Sequence, residues 1–190
     1  MNDGVFVGLD LGTSSLKGAV VGADGALLAS ASAAYPTDRP EPGRAEQDPA
    51  DWWLAVRHVV GALRGEVPAD RWDGIGLSGM VPTLVTATAD GEPVGPAITW
   101  EDDRAEIEGE RFRSDSDDLY VRTGQWVDGR YLLPMFRWLQ EHDAARAGAT
   151  GSLRSAKDEV FYWLTGEEAT DPSTATGFGC YELSGEWDGD

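Results

Sequence analysis

Asp10 is followed within seven residues by Gly12, Thr13, Ser14, Ser15 and Lys17, so a carboxylate at the end of an apolar run leads at once into a turn of glycine and hydroxyls. Glycine lets a backbone approach a ligand closely, and successive N–H groups and hydroxyls in such a turn can cradle phosphate oxygens. On that reading Gly12, Thr13, Ser14, Ser15 and Lys17 contact phosphate. Asp10 holds Mg²⁺ through water, because an acidic neighbourhood needs a cation before a triphosphate can approach. The same residues also suit an ordinary hairpin in which Asp10 caps backbone groups. The G-x-x-x-x-G-K-[ST] spacing of a Walker A loop is absent and no helix follows directly. The two histidines, His58 and His142, fall in expected helices with no second ligand at metal spacing, and neither is given a role.

The elements that must position this turn follow from apolar patterning. Residues 5–10 form a nearly uninterrupted apolar run and read as a central strand buried on both faces. Residues 16–21 and 26–34 read as the next two strands, turned by Asp24-Gly25. Pro- and charge-rich 35–43 is an exposed loop. A helix then starts after Asp48, with Pro49 at its first position and Trp52, Val56, Val59, Val60 and Leu63 as its buried stripe. Residues 72–78 read as a second central strand, and 84–88 with Asp90-Gly91 as a hairpin arm. Residues 102–113 read as a solvent-facing helix, Leu132, Met135, Phe136 and Leu139 as a more buried one, and 157–164 as a short helix stopped by Gly166. Strands alternating with helices give an α/β class, with one mixed sheet of five strands flanked by helices.

At 190 residues the chain suits one domain with a sizeable core, since a chain of this length buries roughly 70% of its unfolded surface. An apolar fraction of 41% and eight Trp argue for a globular chain, and no apolar run reaches the ~18 residues of a membrane span. The net charge of −19 repels nucleic acid and anionic membrane. Cys180 is the only cysteine, so no internal disulfide can form, and the Met1–Asn2–Asp3 start has no basic or apolar block of a secretory signal. A reducing cytoplasm is the expected location.

Five further stretches join the first turn in order and spacing. They are Glu46-Gln47-Asp48-Pro49 with Trp52-Trp53, Gly76-Leu77-Ser78-Gly79, Pro96-Ala97-Ile98-Thr99-Trp100 with Asp102 and Arg104, Lys157-Asp158, and Leu164-Thr165-Gly166 with Thr170-Asp171. Together with Gly8-Leu9-Asp10-Leu11-Gly12-Thr13 the set resembles the FGGY carbohydrate kinases, the xylulokinase-like members most of all. The resemblance covers essentially the whole chain. It implies the ribonuclease-H-like fold of the actin and hexokinase ATPase superfamily, ATP and Mg²⁺ as cofactors, and residues 1–190 as the first, sugar-facing domain of two. It places substrate contacts at Met80, Val81 and Pro82 and around Trp100, Asp102 and Arg104. Where the xylulokinase pattern carries Gln-Met-His, this chain has Met80-Val81-Pro82, so a hydrogen-bonding His is missing and D-xylulose is not singled out. Asp171 and Ser173 lie, by the same resemblance, near the interdomain region, where a loop role and ligand contact are both open.

In-line phosphoryl transfer needs a base, a metal on the phosphates and a closed site. The resemblance puts the base, an Asp in a second glycine-rich segment, and the adenosine site in a C-terminal half beyond Asp190. The expected whole is an ATP-dependent sugar or polyol kinase with no catalytic base in these 190 residues and no activity from them alone. The alternative is a standalone sugar- or phosphate-binding module. An actin- or chaperone-like ATPase shares the opening turn but accounts for neither the Trp52-Trp53 helix nor the Trp100-to-Arg104 segment.

Overall fold

Along the first strand Val5, Val7, Leu9 and Leu11 are buried while Phe6, Gly8 and Asp10 are exposed, the period-two pattern of a strand covered on one face. The computed structural model describes residues 4–116 and 118–188. The Met1–Asn2–Asp3 start and the final Gly189-Asp190 therefore lie outside the described residues. In chain order the elements are β1 (Val5–Leu11), β2 (Ser15–Gly22), β3 (Leu27–Ala34), β4 (Glu46–Gln47), α1 (Pro49–Glu66), β5 (Gly74–Gly79), β6 (Thr83–Ala87), β7 (Ala97–Thr99), α2 (Glu106–Asp115), α3 (Leu119–Thr123), α4 (Leu132–His142), α5 (Ala144–Ala149), β8 (Ser152–Arg154), α6 (Ala156–Thr165) and α7 (Pro172–Ala175). They fall into two compact units, Met1–Pro36 with Pro49–Met80, and Thr37–Asp48 with Val81–Asp190.

The first unit is a mixed sheet in the order β3-β2-β1-β5. β1 and β2 are antiparallel, which sets Asp10 opposite Lys17, and β1 and β5 are parallel, which sets Asp10 beside Ser78. Helix α1 covers one face with Trp52, Val56, Val59 and Leu63, all buried. The sheet differs from the expected one in three ways. Among the described residues it has four strands and not five, β5 is an edge while β1 is interior, and β1 is buried on one face only. An apolar run reports that a strand packs against something, but the neighbour that would make it central lies elsewhere in the chain.

The second unit holds an antiparallel sheet in the order β4-β7-β6-β8. Its core joins Leu84 of β6 and Ile98 of β7 to Leu132, Met135 and Leu139 of α4, with Ala105 beside them. Those α4 positions recur at three and four residues, so one helical face enters the core. Helix α2 starts at Glu106 and not at 102, because Asp102 is held in the preceding turn by hydrogen bonds described below. The helix is also less solvent-facing than expected, since Glu108 and Gly109 are buried. α6 opens with a capping box: Asp158 N–H donates to Ser155 Oγ (3.3 Å) and Ser155 N–H to Asp158 Oδ2 (3.4 Å), and Gly166 ends the helix in the left-handed conformation. Among the described residues no helix is long and apolar enough to cross a membrane.

Candidate functional site

In the first unit the turn between β1 and β2 is closed by Gly12 N–H donating to the Ser15 carbonyl (3.1 Å), and Tyr35 N–H donates to the Ser14 carbonyl (3.2 Å). The Tyr35 hydroxyl donates to the Gly12 carbonyl from the other side. Burial raises the Tyr35 phenol well above its ordinary range, and the negative charge of Asp10 raises it further, so the hydroxyl stays a donor. The Gly12 amide is thus engaged within the turn, and of the residues that follow it Ser14 is exposed. Asp10 and Lys17 share the uncovered face of the sheet, both exposed. A concavity of about 970 Å³ lies over that face, lined by Gly8, Asp10, Lys17, Ala31, Gly76 and Ser78 among others. Its floor is small side chains, which leaves backbone and the Asp10 carboxylate accessible.

In the second unit a cavity of about 460 Å³ is walled by Val81, Pro82, Trp100, Gln125, Trp126, Asp128, Arg130, Tyr131, Thr176 and Gly177. Trp100, 39% exposed, and Trp126 supply aromatic faces. Arg113 sits 5.0 Å from the Trp126 ring centroid. The Tyr131 hydroxyl donates to Gln125 Oε1 (3.0 Å), and Arg130 Nε donates to both Asp128 oxygens (3.1 Å each). Burial works to raise the Asp128 carboxyl, but the Arg130 hydrogen bonds and charge outweigh it and hold the group below its usual value. Thr176 directly follows α7, whose start is fixed by Asp171: the Asp171 carboxylate accepts from Ser173 N–H (2.9 Å), Thr174 N–H (3.1 Å) and Lys157 Nζ (2.8 Å). That partnership, led by Lys157, holds the Asp171 carboxyl far below its usual range and gives Asp171 a structural task.

Asp102 and Arg104 turn inward. Asp102 is 1% exposed and accepts from Ala45 N–H (2.7 Å), Arg104 N–H (3.0 Å), Arg104 Nε (2.8 Å) and Arg104 Nη2 (2.6 Å). Arg104 Nη2 also donates to Glu46 Oε1 (2.7 Å). The three residues clip the turn before α2 to β4, with the Arg104 guanidinium 5.1 Å from the Trp138 ring centroid.

Residues 5–190 match the family profile described as FGGY family of carbohydrate kinases, N-terminal domain. The chain belongs to the FGGY family of carbohydrate kinases. It is 32% identical to a xylulose kinase of Staphylococcus xylosus over 90% of this chain and 36% of that protein, and 26% identical to a gluconokinase of Bacillus subtilis over 96% and 36%. A solved xylulose kinase from Rhodospirillum rubrum superposes with a TM-score of 0.92 at 31% identity, covering 98% of this chain and 39% of that one. The chain therefore spans a little over a third of the length of the curated relatives it matches. Its fold is that of the FGGY sugar kinases, the actin and hexokinase ATPase fold, and FGGY kinases are phosphotransferases that use ATP and a divalent metal.

Of the residues expected to face sugar in this FGGY chain, the structure brings Val81, Pro82 and Trp100 to one cavity. Met80 is not there: it is buried in the first unit, where its N–H donates to the Leu11 carbonyl (2.8 Å). Asp102 and Arg104 do not line this cavity either; their charges are engaged with each other, Ala45 and Glu46. Gln125, Trp126, Asp128, Arg130, Tyr131 and Thr176 were not legible as wall residues. The signal was a tryptophan and a charge pair in a loop between helices, which begins at Gly124, a left-handed cap (φ 68°) that only glycine adopts freely.

Proposed function

We propose that this chain is the sugar-facing, N-terminal part of a xylulokinase-like, ATP-dependent kinase that transfers the γ-phosphate to a hydroxyl of a sugar or polyol. Its partner is a C-terminal nucleotide-binding domain, its location the cytoplasm, and its charge of −19 disfavours nucleic acid. The observation that carries this reading is the 460 Å³ cavity, which pairs aromatic faces with fixed polar groups. Apolar C–H patches of a sugar stack on Trp100 and Trp126, while its hydroxyls meet the Asp128–Arg130 pair and the Gln125–Tyr131 pair. Each pair is pre-oriented by its own hydrogen bonds, so little side-chain freedom is lost on binding.

Asp10 fits Mg²⁺: it is an exposed carboxylate with no ion pair among the described residues, at a strand end beside a hydroxyl-bearing turn. When bound, the metal supplies neutralisation of triphosphate charge. Thr13, Ser14, Ser15 and Lys17 are the proposed phosphate contacts, and Tyr35 fixes the turn they stand on.

Calorimetric titration with D-xylulose, D-gluconate and glycerol tests the sugar wall. At least one should bind saturably, and Trp100→Ala should weaken it by about tenfold, ~1.4 kcal/mol. Unchanged affinity in that variant would move the sugar elsewhere. A second reading, a self-standing sugar-binding module, is favoured by the cavity's being complete within one unit. It differs in requiring no turnover when a C-terminal kinase domain is supplied.

A further inference from the structure

Glu108, on α2, is 3% exposed, and its Oε2 has no hydrogen-bond partner among the described residues. Buried carboxylate oxygens are rarely left so, because a desolvated charge is strongly unfavourable unless paired or bound to a metal. The groups facing it are Glu141 and His142, at the end of α4. One ligand atom from each of the three residues lies within 4.8 Å of the others. Glu141 and His142 are exposed, with the His142 ring stacked on Trp138 (centroids 4.7 Å), so closure onto a buried Glu108 falls to their side chains.

From this convergence we infer that Glu108, Glu141 and His142 form a binding site for one divalent transition cation of the zinc type, clamping α2 to α4. The donor set decides the class. Two carboxylates and an imidazole suit Zn²⁺ with three protein ligands and a water, whereas Mg²⁺ and Ca²⁺ prefer oxygen alone. Tetrahedral Zn²⁺ at about 2.1 Å from each donor needs donors roughly 3.4 Å apart, a closure of little more than 1 Å that side-chain rotation supplies. Glu141 now accepts from Arg111 Nη1 (3.1 Å to each oxygen) and from Arg137 (3.4 Å), so these cations compete with the metal for it. His142 carries no role in sequence because Glu108 lies 34 positions upstream, and only the packing of α2 on α4 brings them together. The site is independent of the sugar cavity.

The test is titration of this chain with Zn²⁺ at physiological salt, followed by calorimetry, with Co²⁺ as a spectroscopic stand-in whose visible absorption reports a low-coordinate nitrogen-bearing site. One saturable equivalent is expected. Glu108→Gln and His142→Gln should each weaken it by more than about a hundredfold, beyond the 10- to 100-fold typical of residues that merely support a metal ligand. His142 is exposed, so its variant keeps the test valid if Glu108→Gln does not fold. Arg111→Gln should tighten binding by removing a competitor. His58→Gln and Cys180→Ser, which change the only other histidine and the only thiol, should leave it unchanged. Several weak, non-saturating equivalents, or full binding in His142→Gln, would overturn the assignment and leave only adventitious binding to an acidic surface.

Discussion

At the scale of single residues, the same types serve opposite ends depending on which way they face. Asp128 with Arg130 and Asp102 with Arg104 are both an aspartate followed two positions later by an arginine, yet the first pair lines a cavity and the second closes a buried clip. Removing one partner from a buried ion pair costs about 3–5 kcal/mol, because the other charge is left desolvated. Asp102→Ala should therefore approach that loss, softened by Glu46, which still accepts from Arg104. Denaturant unfolding measures it. If stability is unchanged and only sugar affinity falls, Asp102 is a sugar ligand after all. What the sequence showed here was the residue types; what it hid was the partner, since Ala45 lies 57 positions away from Asp102.

At the scale of elements, α2 shows two effects in opposition. Gly109 lies in the helix, where alanine would be favoured by about 1 kcal/mol on propensity alone. A Cβ there would stand 2.3 Å from Gly129 N and 2.4 Å from the Asp128 carbonyl carbon, backbone atoms that cannot swing aside. Overpacking of this kind costs about 1–3 kcal/mol or more, so packing wins. Gly109→Ala should lower Tm by roughly 4–8 °C, taking ~2 kcal/mol net and a chain of this size. It should weaken sugar binding as well, by displacing the loop that carries Asp128 and Arg130. Gly148→Ala on α5, with nothing within 4 Å of its Cβ, is the control and should be neutral or stabilising. A Gly109→Ala chain as stable as wild type would mean the loop yields. Strand and helix positions in this chain were largely legible, β1, β2, α1, α4 and α6 within a few residues, because period and caps are local. The edge position of β5, the start of α2 at 106 and the buried side of α2 were not, because each depends on a neighbour distant in sequence.

At the scale of the whole molecule, one unit carries an exposed carboxylate beside a hydroxyl turn and the other an aromatic-walled cavity, which the proposed reading assigns to phosphate and to sugar. Phosphoryl transfer also needs a group to take the proton from the accepting hydroxyl, and such a base must be free to accept it. Asp128 is the carboxylate that lines the cavity, but Arg130 engages both its oxygens and holds the carboxyl below its usual value, which makes it a poor base near neutral pH. The chain also spans only about 36% of its xylulose kinase relative from Staphylococcus xylosus, and on the proposed reading a C-terminal domain supplies the nucleotide side. The expected outcome is that this chain binds sugar yet, with ATP and Mg²⁺ present, forms no sugar phosphate above a sugar-free control. Direct detection of sugar phosphate is the deciding measurement, because ATP loss alone does not report transfer to sugar. If product forms, the division of labour is wrong, and Asp128→Asn becomes the discriminating variant: lost turnover with sugar affinity retained would make Asp128 the base despite its arginine. If no product forms until a C-terminal FGGY domain is added, Asp10→Ala in that assembled enzyme should lower the turnover number by roughly a hundred- to a thousandfold, about 3–4 kcal/mol of transition-state stabilisation, and leave sugar affinity nearly unchanged. Equal losses in turnover and affinity would instead mark Asp10 as a sugar ligand, and near-normal turnover would reduce it to a cap on the turn it precedes.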